Sequence, residues 1–247
     1  MFALLVYIQI KNVQGSGQIL VIGGYCRGCQ KGYRYQQKQT DVIDLTDPSL
    51  ICTSVFGELE SVRTNFIGGL INETPILCGG VNQKTYDSCI VFDQTKTSIK
   101  LNEPRSRAAS VVLNETTLWI MGGSVPFPGT ALSSTELITL DPATSVNGPA
   151  LPNELYASCA VKYNDTHIYL TGGRNILGWK NQVWIYNIIL NAGSSSWTEG
   201  PRMNNKRGYH GCTVLHHGQK SWIVVASDYN KHSVEILDPN KNKWVQG

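Results

Sequence analysis

The 247-residue sequence is short of charge, with 16% Asp, Glu, Lys and Arg against about 25% in an average soluble domain. It has no apolar run of the ~20 residues that a membrane-spanning helix requires. The longest such run, MFALLVYIQI, reaches from Met1 to Ile10. It lacks a basic leader and a clear small-residue cleavage site. Val6, Ile8 and Ile10 alternate there with Tyr7 and Gln9, which reads as a first β-strand, with a signal-peptide remnant as the alternative. The catalytic signatures G-x-S-x-G, the P-loop, H-E-x-x-H and the dinucleotide fingerprint are all missing. A net charge of +3 is too mild to imply a nucleic-acid partner. Low charge combined with 24 glycines argues against long helices, and 41% apolar content argues against disorder. The length suffices to bury a core without metal or disulfide staples, and one domain is expected.

What the chain does contain is a repeat. An apolar strand ending in a glycine pair recurs as LVIGG (20–24), ILCGG (76–80), WIMGG (119–123) and YLTGG (169–173), and a fifth copy, WIVVA (222–226), has lost the glycines. The doublet positions start at 23, 79, 122, 172 and 225. About 16 residues before a doublet lies a second short strand led by arginine: Arg63, Arg105 and Arg207, with Leu155 in the fourth copy. Tight turns join the two strands, NET at 72–74, NET at 114–116, NDT at 164–166 and HHGQ at 216–219. Asn and Gly tolerate the positive φ such turns need. A third strand follows each doublet (DVIDLTDP, CIVFDQ, ELITLDP, VWIYN, VEILDP), and a fourth is marked by Trp197 and Trp244. Four strands in about 50 residues form a sheet with two apolar faces. Radial stacking of such sheets buries both. The glycine pair suits a sharp exit close to neighbouring backbone. Trp119, Tyr169 and Trp222, three residues before the doublets, are expected to fill the gaps between sheets.

These doublets, the Arg207-x-x-His210 lead-in and VEILDPNKNKW (234–244) make the sequence resemble the kelch family of β-propellers, over essentially the whole chain. The resemblance implies an all-β, kelch-type β-propeller of about five four-stranded blades, at 1–61, 62–104, 105–153, 154–205 and 206–247. Kelch propellers usually have six or more blades. Either five close a ring here, or the chain is a fragment of a longer protein with a six-bladed ring; the second is favoured.

The resemblance also implies where a partner would bind. Kelch domains capture proteins with the loops after the doublet and before the arginine strand. The residue after the doublet and the lead-in arginine make contact in several of them. Carried onto this chain, those positions are Tyr25, Val81, Ser124 and Arg174, then Arg63, Arg105 and Arg207. The loop YCRGCQKGYRYQQK (25–38) interleaves Tyr25, Arg27 and Arg34 with further Tyr and Lys, and Phe127 and Trp179 are apolar tips suited to anchoring. Arginine forks suit carboxylates. A protein or acidic peptide is therefore the expected partner, with no catalysis, no cofactor, no metal and no membrane span. A substrate receptor of a cytosolic cullin ubiquitin ligase is the alternative. A copper-radical oxidase of the galactose-oxidase kind is a weaker one, because Tyr209-His210 lacks converging second ligands.

Seven cysteines are present. CRGC (26–29) has no second ligand pair for zinc. Cys78 and Cys89 flank one loop on neighbouring strands, where a disulfide is geometrically possible, while Cys159 and Cys212 read as small buried hydrophobes. Three N-x-T sequons, at Asn72, Asn114 and Asn164, occupy the same turn of successive repeats. Together with the cysteines they favour a secreted, glycosylated protein over a cytoplasmic one.

Overall fold

The computed structural model describes residues 8–11, 17–27, 34–44, 52–58, 61–93, 97–125, 129–188, 197–228 and 232–247, the first four segments as strand backbone. Among them every regular element is a strand. Five four-stranded antiparallel sheets follow one another in chain order. The first holds β1 (Ile8–Lys11), β2 (Gly17–Arg27), β3 (Arg34–Asp44) and β4 (Cys52–Glu58). The second holds β5 (Ile67–Ile71), β6 (Thr74–Cys78), β7 (Ser88–Val91) and β8 (Ser98–Lys100). In the third, β9 (Ala109–Asn114), β10 (Thr117–Met121), β13 (Thr135–Leu140) and β14 (Ala143–Gly148) enclose a small hairpin of β11 (Ser124–Val125) and β12 (Thr130–Ala131). The fourth repeats that plan. Its sheet is β15 (Cys159–Lys162), β16 (His167–Thr171), β19 (Val183–Asn187) and β20 (Trp197–Glu199), and its hairpin is β17 (Arg174–Asn175) with β18 (Gly178–Trp179). The fifth is β21 (Gly211–His217), β22 (Lys220–Ala226), β23 (Val234–Asp238) and β24 (Lys243–Gln246).

The first strand of each sheet faces the first strand of the next, from β1 through β5, β9 and β15 to β21. That arrangement puts these strands innermost and makes the sheets the blades of a β-propeller. The packing explains why the second strands are apolar throughout. On β10, Leu118 and Ile120 join Ile67, Ile71 and Ile76 in one buried cluster, while Trp119 and Met121 join Ile168, Leu170 and Trp197 in the next. Period-two alternation thus feeds two inter-blade cores at once. Trp119 lies 4.7 Å from Tyr186 and 5.7 Å from Trp197, ring to ring, as filler between blades.

The glycine doublets mark the blade junctions. A Cβ on Gly79 would stand 2.2 Å from the carbonyl oxygen of Arg105, one on Gly122 2.4 Å from that of Leu155, and one on Gly172 2.5 Å from that of Arg207. All three glycines have positive φ, between 58° and 65°. The second glycine of each pair then donates its N–H to the same carbonyl: Gly80 to Arg105 at 2.9 Å, Gly123 to Leu155 and Gly173 to Arg207 at 2.8 Å. In the fifth blade, where Val225 and Ala226 replace the glycines, β22 runs on unbroken through both positions.

Two expectations change here. The segment 25–38 is not one loop: β2 and β3 extend into it, and Tyr25 pairs with Gln36 and Arg27 with Arg34. Cys159 and Cys212 are not isolated hydrophobes. They form a disulfide between β15 and β21, with Cα atoms 5.9 Å apart. Cys78 and Cys89, directly opposite on β6 and β7, are joined as well.

Gly172→Ala should cost about 2–4 kcal/mol, since the added methyl meets both an unfavourable φ and a backbone oxygen. Gly218→Ala, also at positive φ but with nothing within 4 Å, should cost about 1 kcal/mol. Urea denaturation of the two variants checks the contrast; equal losses would contradict the junction geometry.

Candidate interaction face

The loops after the doublets and the lead-ins to the innermost strands share one end of the propeller. Two residues beyond each lead-in position lies a residue with positive φ: Asn65 (54°), Arg107 (57°), Ala157 (56°) and Tyr209 (57°). Their backbones form a chain of hydrogen bonds around the axis. Arg107 N–H donates to Asn65 O at 2.8 Å, Ala157 N–H to Arg107 O at 2.8 Å, and Tyr209 N–H to Ala157 O at 2.9 Å. The left-handed conformation turns each N–H and C=O along the ring, toward its neighbours.

Inside this rim opens a cavity of about 320 Å³. Asn65, Arg107, Ser110, Ser158, Tyr209 and His210 are among its polar lining, and Phe66 is among the apolar residues. Among the described residues, three side-chain atoms there have no hydrogen-bond partner: Arg107 Nε, Ser158 Oγ and His210 Nδ1. His210 is buried, with Nε2 2.8 Å from the Thr171 hydroxyl. Burial and the nearby Arg207 charge push its pKa down to about 4, against the smaller opposing pull of Asp228 and Glu235. The imidazole is therefore neutral at physiological pH.

Beside the cavity, the β17–β18 hairpin carries the Arg174 guanidinium 5.0 Å over the Trp179 ring. Trp179 packs edge-on to Tyr209, centroids 6.0 Å apart, and fills the space where Gly208 would otherwise bear a side chain. The hairpin tip, Ile176 and Leu177, is 89% and 82% exposed.

The lead-in arginines have a different task from the one the family resemblance implies. Arg105 and Arg207 are fully buried and Arg63 nearly so, which removes them from the surface available to a partner. Arg105 donates to Gly122 O at 2.7 Å, to Ser134 O at 3.0 Å and to Glu136 Oε1 at 2.6 Å. Arg207 donates to Ser227 O, Ser233 O and, through both Nε and Nη2, to Glu235 Oε1. Arg63 reaches Gly79 O and Ser88 O and stacks 4.2 Å over Tyr86. Each one ties the lead-in to the carbonyls of the blade's second and third strands. Val81 and Ser124, after the doublets, are buried as well. Arg174 and Trp179 stand on the face. The side chains of Tyr25, Arg27 and Arg34, and all of Phe127, lie outside the described residues.

Sequence reasoning overlooked Arg107, although RSR at 105–107 offered a second arginine in the lead-in just before the innermost strand β9. It also overlooked Glu136 and Glu235. The clue was available: repeats with an arginine lead-in before ELITLDP or VEILDP carry an acid in the third strand, while the repeat led by Leu155 has VWIYN and no acid. Burial works to raise the Glu235 pKa, but the Asn204 N–H, the Arg207 guanidinium and the Asn205 side chain outweigh it and hold the carboxyl below its usual range.

The comparisons with known proteins agree with this architecture. The chain matches no family model. Over 167 residues, 64% of its length, it is 30% identical to Kelch-like protein 23 of Homo sapiens and 29% identical to Kelch-like protein 23 of Mus musculus. This similarity supports a kelch-repeat relationship for the chain. Its matched part spans 28% of the length of those relatives. In this propeller the glycine doublets and lead-in arginines are thus junction and pin, and the rim cavity with its flanking hairpin is, among the described residues, the accessible part of this end.

Glu235→Gln should destabilise the fold by about 3–5 kcal/mol by leaving the Arg207 charge unpaired, whereas Arg107→Ala should stay within about 0.5 kcal/mol. Equal effects in thermal melts would contradict the assignment of Arg207 to the interior. Acid should weaken the wild type through two groups. The Glu235 contribution is whole above the ordinary carboxylate pKa and fades as pH falls through the lowered folded value. For His210, between its ordinary 6.5 and about 4 the unfolded chain gains a proton that the folded one refuses. That removes about 3 kcal/mol over the interval. His210→Gln should flatten stability between pH 6.5 and 4; an unchanged slope would contradict the buried neutral imidazole.

Proposed function

We propose that this kelch propeller is a non-catalytic binding module that takes an acidic segment of a partner protein into the axial cavity, with the β17–β18 hairpin gripping beside it. The observation that carries the reading is the Arg107 side chain at the cavity, its Nε without a hydrogen-bond partner. A buried donor left unmet costs about 1–3 kcal/mol, and an incoming carboxylate removes that penalty through a charge-assisted bond. Ser158 Oγ lines the same cavity as a second unmet donor. Arg174 over Trp179 supplies an Arg and a Trp, side chains in which binding hot spots are enriched, beside the exposed apolar tip of Ile176 and Leu177. Binding without catalysis fits the chemistry of the rim: His210 is already engaged with Thr171 and held neutral by burial.

The test is a peptide array of acidic, neutral and basic sequences probed with the whole chain. Acidic peptides should bind selectively, and binding should weaken with salt. Arg107→Ala and Arg174→Ala should each lose about 1–3 kcal/mol of affinity in titration calorimetry. Binding that ignores peptide charge, or that survives both substitutions, would sink this reading.

A further inference from the structure

At the end of the propeller opposite the rim, three hairpin turns carry Asn-x-Thr, at Asn72, Asn114 and Asn164, and all three asparagines are exposed. In two of them the side chain is oriented by its oxygen. Asn114 Oδ1 accepts from Thr116 N at 3.0 Å and from Thr116 Oγ1 at 2.9 Å. Asn164 Oδ1 accepts from Thr166 N and Oγ1, both at 2.9 Å, and from His167 N at 2.7 Å. With the oxygen engaged inward, the amide nitrogen Nδ2 is left on the solvent side of each turn.

Turn geometry does not demand this triplet. The fifth blade makes the equivalent turn with Gly218, at φ 59° and in open space. The repeated Thr at the third position therefore exceeds what the hairpin needs. A second and separate observation concerns the cysteines. One disulfide lies within the second blade, and the other ties the innermost strands of the fourth and fifth blades. Structural disulfides persist in oxidising compartments, and the eukaryotic secretory pathway is where Asn-x-Thr is glycosylated.

We infer that Asn114 and Asn164, with Asn72 as a third acceptor, carry N-linked glycans, added in the same oxidising compartment where the two disulfides form. Nδ2 attacks the anomeric carbon of a lipid-pyrophosphate-linked oligosaccharide. A C–N bond forms, the anomeric C–O bond breaks, the lipid pyrophosphate departs and Nδ2 gives up a proton. The glycans then stand on the turn end, which leaves the rim end open for a partner. This inference rests on the turns and the cysteines and is independent of what the rim binds.

The experiment takes the protein from its native source, removes N-glycans with a peptide-N-glycosidase in heavy-oxygen water, and maps peptides by mass spectrometry after alkylation without reductant. Positions 114 and 164 should be recovered as heavy-oxygen aspartate, with Cys78, Cys89, Cys159 and Cys212 resistant to alkylation. In secreted recombinant protein, Asn114→Gln and Thr116→Ala should each remove one glycosidase-sensitive mobility step, while Thr116→Ser keeps it. Unmodified asparagine at both positions in the native peptides overturns the inference whatever the cysteines do. Freely alkylated Cys159 and Cys212 overturn the shared compartment.

Discussion

At each junction between successive blades, from the second to the fifth, a peptide carbonyl occupies the place where a side chain would stand. The oxygens of Arg105, Leu155 and Arg207 press against the first glycine of the preceding doublet and accept a hydrogen bond from the second. Any residue with a Cβ would push the blades apart at the innermost radius, where their separation is least adjustable. The positive-φ ring of Asn65, Arg107, Ala157 and Tyr209 continues the same seam one step nearer the axis. Backbone hydrogen bonds, not side-chain choice, thus set the spacing of the blades, and the apolar clusters between them fill a gap already defined.

That constraint divides the arginines by task. Those at 63, 105 and 207 donate to the carbonyls of Gly79, Gly122 and Ser227, just past the ends of the second strands, and where a carboxylate stands nearby they bury a full ion pair with it. A buried pair of this kind is costly to break even when its net contribution is small. Arg107 and Arg174 stand outside these networks, the first at the cavity and the second over Trp179.

The repeat itself was legible because its signals are local: a doublet, a turn triplet and an apolar second strand recur in the chain at regular intervals. The roles of the arginines were not, because burial depends on what the third strand of the same blade offers some 30 residues later, as Glu136 does for Arg105 and Glu235 for Arg207. A family habit of placing contacts at these positions pointed to the surface, and the geometry of this chain points inward. The Cys159–Cys212 bridge was hidden for a related reason. The two residues are 53 apart in sequence and meet only because innermost strands of consecutive blades are neighbours. Cys78 and Cys89, joined across a single hairpin, were within reach of pattern reading.

Amide hydrogen exchange reads the inter-blade seam directly. The N–H groups of Gly80, Gly123 and Gly173, together with those of Arg107, Ala157 and Tyr209, should exchange as slowly as the centres of β10 and β16, opening only with global unfolding. Exchange of these six amides on the timescale of exposed loops, while the strand centres stay protected, would show that the blades are spaced by something else.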